Sequence, residues 1–102
     1  MQKPKNLPYY AVIFTANTKS PDAEYSEYST LLREKAEKVD GFLGIDTAGD
    51  GFEITVSYWR DLESIQAWKK DLDHSYAKVK GKEKWYESYR VRISKVEMEY
   101  GM

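Results

Sequence analysis

Apolar and polar positions alternate along the chain in six segments, each with a single period. Tyr9 to Asn17 (YYAVIFTAN) is rich in β-branched and aromatic residues, and both alternating faces are largely apolar, as in a strand covered on both sides. Tyr25, Tyr28, Leu32, Ala36 and Val39 then recur at helical spacing, while Glu27, Glu34, Lys35 and Lys38 fall off that face. Ser20-Pro21 supplies a cap and a first helical residue, Asp22 and Glu24 sit where the helix dipole favours acids, and Asp40-Gly41 ends the segment. Phe42 to Thr47 reads as a second strand, followed by a tight turn at Ala48-Gly49-Asp50-Gly51. Phe52, Ile54, Val56 and Tyr58 alternate with Glu53, Thr55, Ser57 and Trp59, the period of a third strand, and Asp50-Gly51 is a hairpin signal. Asp61 can cap a second helix whose inner face carries Leu62, Ile65, Trp68, Leu72, Tyr76 and Val79. Gly81 interrupts, and Trp85-Tyr86 leads into a last strand ending near Tyr100.

The order is β-α-β-β-α-β, an α+β ferredoxin-like unit with an antiparallel sheet and two helices on one face. The last strand changes phase. Tyr89, Val91 and Ile93 share one parity, and Val96, Met98 and Tyr100 the other. Such a switch needs either a bulge or two different layers to pack against. The sheet face away from the helices is also not polar: strand one is apolar on both sides, and Trp59 lies on the minority parity of strand three. A bare face of that kind marks an interface. Two such faces packed together predict a C2 homodimer with a barrel-like centre.

Composition narrows the function classes. The chain has 102 residues, enough for one domain, read as 9–102 behind a loose, polar segment 1–8. Sixteen Lys and Arg against seventeen Asp and Glu leave a net charge of −1, which argues against a nucleic-acid partner. No window approaches ~20 apolar residues, and the start has no apolar signal region, so no membrane partner and a cytoplasmic location are expected. With no Cys and one His, thiol chemistry, disulfides and a dedicated zinc site are not expected. Neither a G-x-G-x-x-G loop nor a P-loop is present, which removes the usual nucleotide cradles. What stands out is aromatic content: 15%, with nine Tyr and three Trp.

Individual residues carry two readings each. His74, the lone histidine, is the only side chain that titrates near neutral pH unaided, yet helical phase turns it away from Leu72 and Tyr76. Arg90 and Arg92 sit on an apolar strand, so at least one is expected to meet a carboxylate. Trp59, Tyr86 and Tyr89 read as dimer-core or barrel residues. Lys78 to Lys84 reads as a solvated helix end.

The runs GFLGIDTA, ITVSYWRDLESIQAWKKDLDH and GKEKWYESYRVRISKVEMEY resemble the antibiotic biosynthesis monooxygenase (ABM) family over residues 9–100, and most closely its branch of small haem-degrading monooxygenases. The resemblance implies a ferredoxin-like homodimer with a central β-barrel and a ligand pocket between sheet and helices. It implies a cofactor-free oxygenase acting on a small aromatic, phenol-like ligand. The alternatives are a haem-binding or haem-degrading enzyme, with haem as the cofactor, and a non-enzymatic ligand-binding dimer. Trp68 falls where relatives carry a pocket residue, so Trp68 and His74 are the catalytic candidates, with a Tyr as the other proton carrier. Asn17 is a weaker candidate, because an Asn near this strand belongs to the site of haem-degrading relatives; otherwise it turns the loop to Ser20. Those relatives place their iron ligand about one turn beyond His74, where this chain has Lys78.

Overall fold

The computed structural model describes residues 7–19, 23–49, 51–76 and 85–102, in which the expected elements appear in the expected order. They are β1 (Tyr9–Thr18), α1 (Ala23–Glu37), β2 (Phe42–Gly49), β3 (Phe52–Trp59), α2 (Leu62–Tyr76) and β4 (Tyr86–Val96). The strands form one antiparallel sheet in the order β2-β3-β1-β4, the ferredoxin-like arrangement. Residues 1–6, Ser20, Pro21, Asp22, Asp50 and 77–84 lie outside the described residues, and with them the expected first-helix cap, Val79 and the Lys78–Lys84 run. Among the described residues no helix is long and apolar enough to cross a membrane.

Directly paired residues of antiparallel strands share a face, so the register assigns every side chain. Tyr10, Val12, Phe14 and Ala16 of β1 pair with Trp59, Ser57, Thr55 and Glu53 of β3. Val12 packs with Ala36, Trp59 and Ile65, and Ala16 with Trp85 and Tyr86, so this set faces the helices. The opposite set, Ile13, Thr15, Phe52, Ile54, Val56 and Tyr58, looks away from them. The expected orientation of β3 is therefore reversed. Its polar parity is turned indoors and its apolar parity covers the helix-free face, where Phe52 and Ile54 are 45% and 40% exposed. The physical reason is Trp59. Fully buried, it stacks at 5.0 Å on Trp68 and edge-on at 5.2 Å on Phe42. Its indole N–H donates to the buried Ser57 Oγ at 2.9 Å, which satisfies both polar groups in the core. Trp59 and Tyr86 thus belong to this subunit's own core, not to a dimer core.

The β4 expectation is corrected in two respects. The strand ends at Val96 rather than near Tyr100, and its pairing with β1 runs unbroken from Asn17↔Ser88 to Tyr9↔Val96. The one register irregularity lies between Asn17 and Thr18, far from the phase switch. No bulge reconciles the two parities. Val91 and Ile93 stand on the helix side at the sheet edge, about half exposed, while Val96 stands on the other side. Leu62, expected on the inner face of α2, is 43% exposed.

Asp61 caps α2 as expected, its Oδ1 accepting the Ser64 N–H at 2.8 Å. Gly41, at φ +104°, links α1 to β2, and a Cβ there would collide with Ser64. The two helices are also joined by an ion pair, Lys35 to Asp71 at 3.5 Å.

Candidate functional site

Turning the polar parity of β3 indoors brings a carboxylate to the helix side of the sheet. Glu53, at the hairpin end of β3, is partly buried, and its Oε2 accepts the Tyr25 hydroxyl of α1 at 2.7 Å. Among the described residues its other oxygen, Oε1, meets the Thr55 hydroxyl at a long 3.5 Å. The Thr55 and Thr47 hydroxyls lie 2.9 Å apart. Aromatic rings stand beside this acid. Tyr25 meets Trp85 and Tyr86 edge-on at 5.6 and 5.9 Å, Tyr28 lies 5.4 Å from Trp85, and Phe14 meets Tyr86 at 5.4 Å. Tyr25, Glu53, Thr18, Thr47, Gly49 and Phe52 line a cleft of about 450 Å³ that opens to solvent at the β2–β3 hairpin.

The electrostatics of the cleft follow from that one charge. Burial, then the hydrogen bond and negative charge of Glu53, push the Tyr25 phenol above its ordinary pKa. Tyr86 is raised further, by burial first and by Glu53 second. Both phenols keep their protons at neutral pH, so neither is a base. Among the described residues the ion pairs join Lys35 to Asp71 and Arg60 to Asp40 and Asp61, leaving Glu53 without a cation. An acid with a lone pair to spare, flanked by flat rings, can accept a hydrogen bond from a planar hydroxylated ligand.

A second pair of phenol–carboxylate contacts lies on the helix-free face. Tyr58 donates to Asp46 at 2.7 Å, Tyr9 donates to Glu99 at 2.9 Å, and the two rings meet edge-on at 6.0 Å. Burial and Asp46 hold the Tyr58 phenol up at about 12.

No protein-family model matches the chain. Its sequence is 40% identical over 99 residues to the uncharacterised protein YqjZ of Bacillus subtilis, spanning 95% of this chain and 87% of that protein. It is 29% identical over 94 residues to the jasmonate monooxygenase ABM of Pyricularia oryzae, spanning 85% of this chain but only 43% of that protein. The fold matches SnoaB, a cofactor-independent oxygenase from Streptomyces nogalater, with a TM-score of 0.65 at 9% identity over 93% of this chain and 97% of that one. The chain is thus a relative of YqjZ, and its likeness to the jasmonate monooxygenase ABM supports kinship with the ABM family. The further resemblance to its haem-degrading branch has no counterpart among these relatives.

Two of the residues expected to form the site, Trp68 and Asn17, lie on opposite faces of the sheet. Trp68 is partly buried on α2 in the Trp59 cluster, and its indole N–H donates to the Leu32 carbonyl of α1 at 3.2 Å. That is six β3 residues from Glu53, roughly 20 Å along the strand. Asn17 is exposed on the helix-free face, where its amide donates to Ser88 Oγ at 3.1 Å across β1 and β4. His74 belongs to α2, but its side chain lies outside the described residues. Arg90 and Arg92 also face away from the helices, and among the described residues neither has a carboxylate within 4.0 Å.

Haem is poorly served by what the cleft offers. Tyr25 and Tyr86 hold their protons at neutral pH, so they present no phenolate to iron. Among the described residues no cluster of three His, Cys, Asp or Glu side chains could hold a metal ion. The sequence reading assigns none of Glu53, Tyr25 and Tyr86 to the site. The available signal was parity: Glu53 shares a face with Trp59, and the residue type at Trp59 belongs indoors.

Proposed function

We propose that the chain is a small cofactor-free oxygenase that oxidises an electron-rich phenol with molecular oxygen, at the cleft between the β2–β3 hairpin and α1. The observation that carries this reading is Glu53: a carboxylate lining the cleft, hydrogen-bonded to the Tyr25 phenol and with no cation among the described residues within salt-bridge distance. The likeness to the jasmonate monooxygenase ABM and the SnoaB-like fold support the reaction class. The Tyr25 and Phe52 rings that line the cleft hold a flat substrate by stacking and edge contacts, and the buried rings behind Tyr25 fix its position. Glu53 accepts the substrate hydroxyl and takes its proton as an electron passes from the ring to O₂. Recombination then places one oxygen atom on the ring and releases the other as water, so that a phenol plus O₂ gives a quinone plus H₂O. His74 and a Tyr were the expected proton carriers; Glu53 is better suited than a Tyr because the cleft's phenols are held protonated.

The active species in this reading is a homodimer. A second copy covers the apolar helix-free face carrying Ile13, Phe52, Ile54 and Val56, which one subunit leaves bare. The test of the activity is oxygen uptake across a panel of mono- and polycyclic phenols, without added metal, flavin or haem. Uptake that depends on phenol and protein, and survives a metal chelator, supports the reading. Uptake only after haem is added overturns it.

A further inference from the structure

Glu53 does more than accept a proton: we propose that its charge selects the substrate class, admitting ligands that present a neutral O–H or a cationic N–H to the cleft and rejecting carboxylates. This rests on the same cleft as the proposed oxygenase but concerns binding alone. The chain already displays the preference on one of its own groups. Tyr25, a neutral phenol, docks on Glu53 Oε2 at 2.7 Å, and the carboxylate holds that phenol's proton in place. The second oxygen, Oε1, has the long Thr55 contact alone among the described residues and is the place for a ligand's donor. A ligand carboxylate arriving there meets a like charge in a partly desolvated site, where repulsion is stronger than in water. No described cation stands within salt-bridge distance of Glu53 to offset it. Among the described residues the remaining polar lining is the hydroxyls of Thr18 and Thr47. A phenol bound at Oε1 therefore stays neutral until it is oxidised, because Glu53 raises its pKa as it raises that of Tyr25.

Calorimetric titration of the full chain at pH 7.5 with 2-naphthol and 2-naphthoate, two flat ligands of nearly the same shape, tests the proposal. The naphthol is expected to bind at least about tenfold more tightly. Glu53→Gln keeps an oxygen for Tyr25 and removes the charge; it should bring the two ligands within about threefold, chiefly by strengthening naphthoate binding. Tyr25→Phe retains the charge and should retain the discrimination, which guards against a Glu53 variant that fails to fold. Equal binding by the parent protein, discrimination that survives in a folded Glu53→Gln, or binding of neither ligand would each overturn the proposal. Discrimination without oxygen uptake would leave the proposal standing and sink the oxygenase reading; uptake without discrimination would do the reverse.

Discussion

Replacing Ile54 with Asp separates what the helix-free face does within one subunit from what it does between two. Ile54 lies on that face, paired with Thr15 and Ala48, and is 40% exposed in a single chain. Full burial of an Ile side chain contributes roughly 1.5–3 kcal/mol, so covering the exposed part is worth about 1 kcal/mol per copy. An Asp in the same place loses that contact and adds an unpaired charge to a dry interface, at a further cost of at least ~2 kcal/mol. A C2 interface contains the site twice, giving about 6 kcal/mol per dimer and an about ten-thousandfold weaker dissociation constant. Within the isolated subunit the same change costs only about 1 kcal/mol, the span of strand preferences on an exposed surface. Light scattering at tens of micromolar should give the parent twice its 11.9 kDa chain mass and Ile54→Asp the single mass, with the circular dichroism of a folded protein. A parent protein at 11.9 kDa, or a variant that keeps the double mass, would refute the reasoning.

Three more outcomes follow from individual contacts. Gly41→Ala should lower stability by roughly 2 kcal/mol or more in urea unfolding, since φ is +104° and the new Cβ would strike Ser64. Trp68→Ala should cost about 3 kcal/mol, and Trp68→Phe about 1 kcal/mol, while naphthol affinity in the folded variants stays within about threefold; a stable Trp68→Ala protein that has lost the ligand would place the site at Trp68 instead. Tyr58 titrates near 12 rather than 10, so the stability it contributes is complete below pH 10 and is lost as pH rises towards 12. That loss amounts to about 2 kcal/mol, and Tyr58→Phe should flatten the alkaline limb of the stability profile; an unchanged limb would show that Tyr58 titrates normally.

Element order and sheet class were legible because each segment keeps one period and each boundary has a cap, a glycine or a turn. The orientation of β3 was not. Alternation tells which residues share a face, and four apolar residues on one parity look like the side that meets the helices. The opposite parity prevails because Trp59 fills the space between Phe42 and Trp68, with Ser57 beside it to accept the indole proton. Glu53 was missed as a direct consequence, being carried indoors by the same turn of the strand. Tyr25 was read correctly as part of the inner face of the first helix, but its acid partner lies 28 residues away and no local pattern points to it. Trp68 was read both as core and as a pocket residue, and its bond to Leu32, 36 residues earlier, favours the first reading. The phase change expected in the last strand is not made by a bulge: β4 ends at Val96, and Met98 and Tyr100 lie beyond it, 78% and 95% exposed.

The central claim is that this chain oxidises a phenol with O₂ and no cofactor, and isotope labelling tests it most directly. The protein, freed of metals by a chelator, is incubated with 1,5-dihydroxynaphthalene under ¹⁸O₂, and the product is examined by mass spectrometry against a protein-free control. The expected product is a hydroxylated naphthoquinone carrying one ¹⁸O atom, formed faster than in the control and more slowly with Glu53→Gln. A product formed no faster than in the control, or one labelled only from solvent water, would contradict the claim.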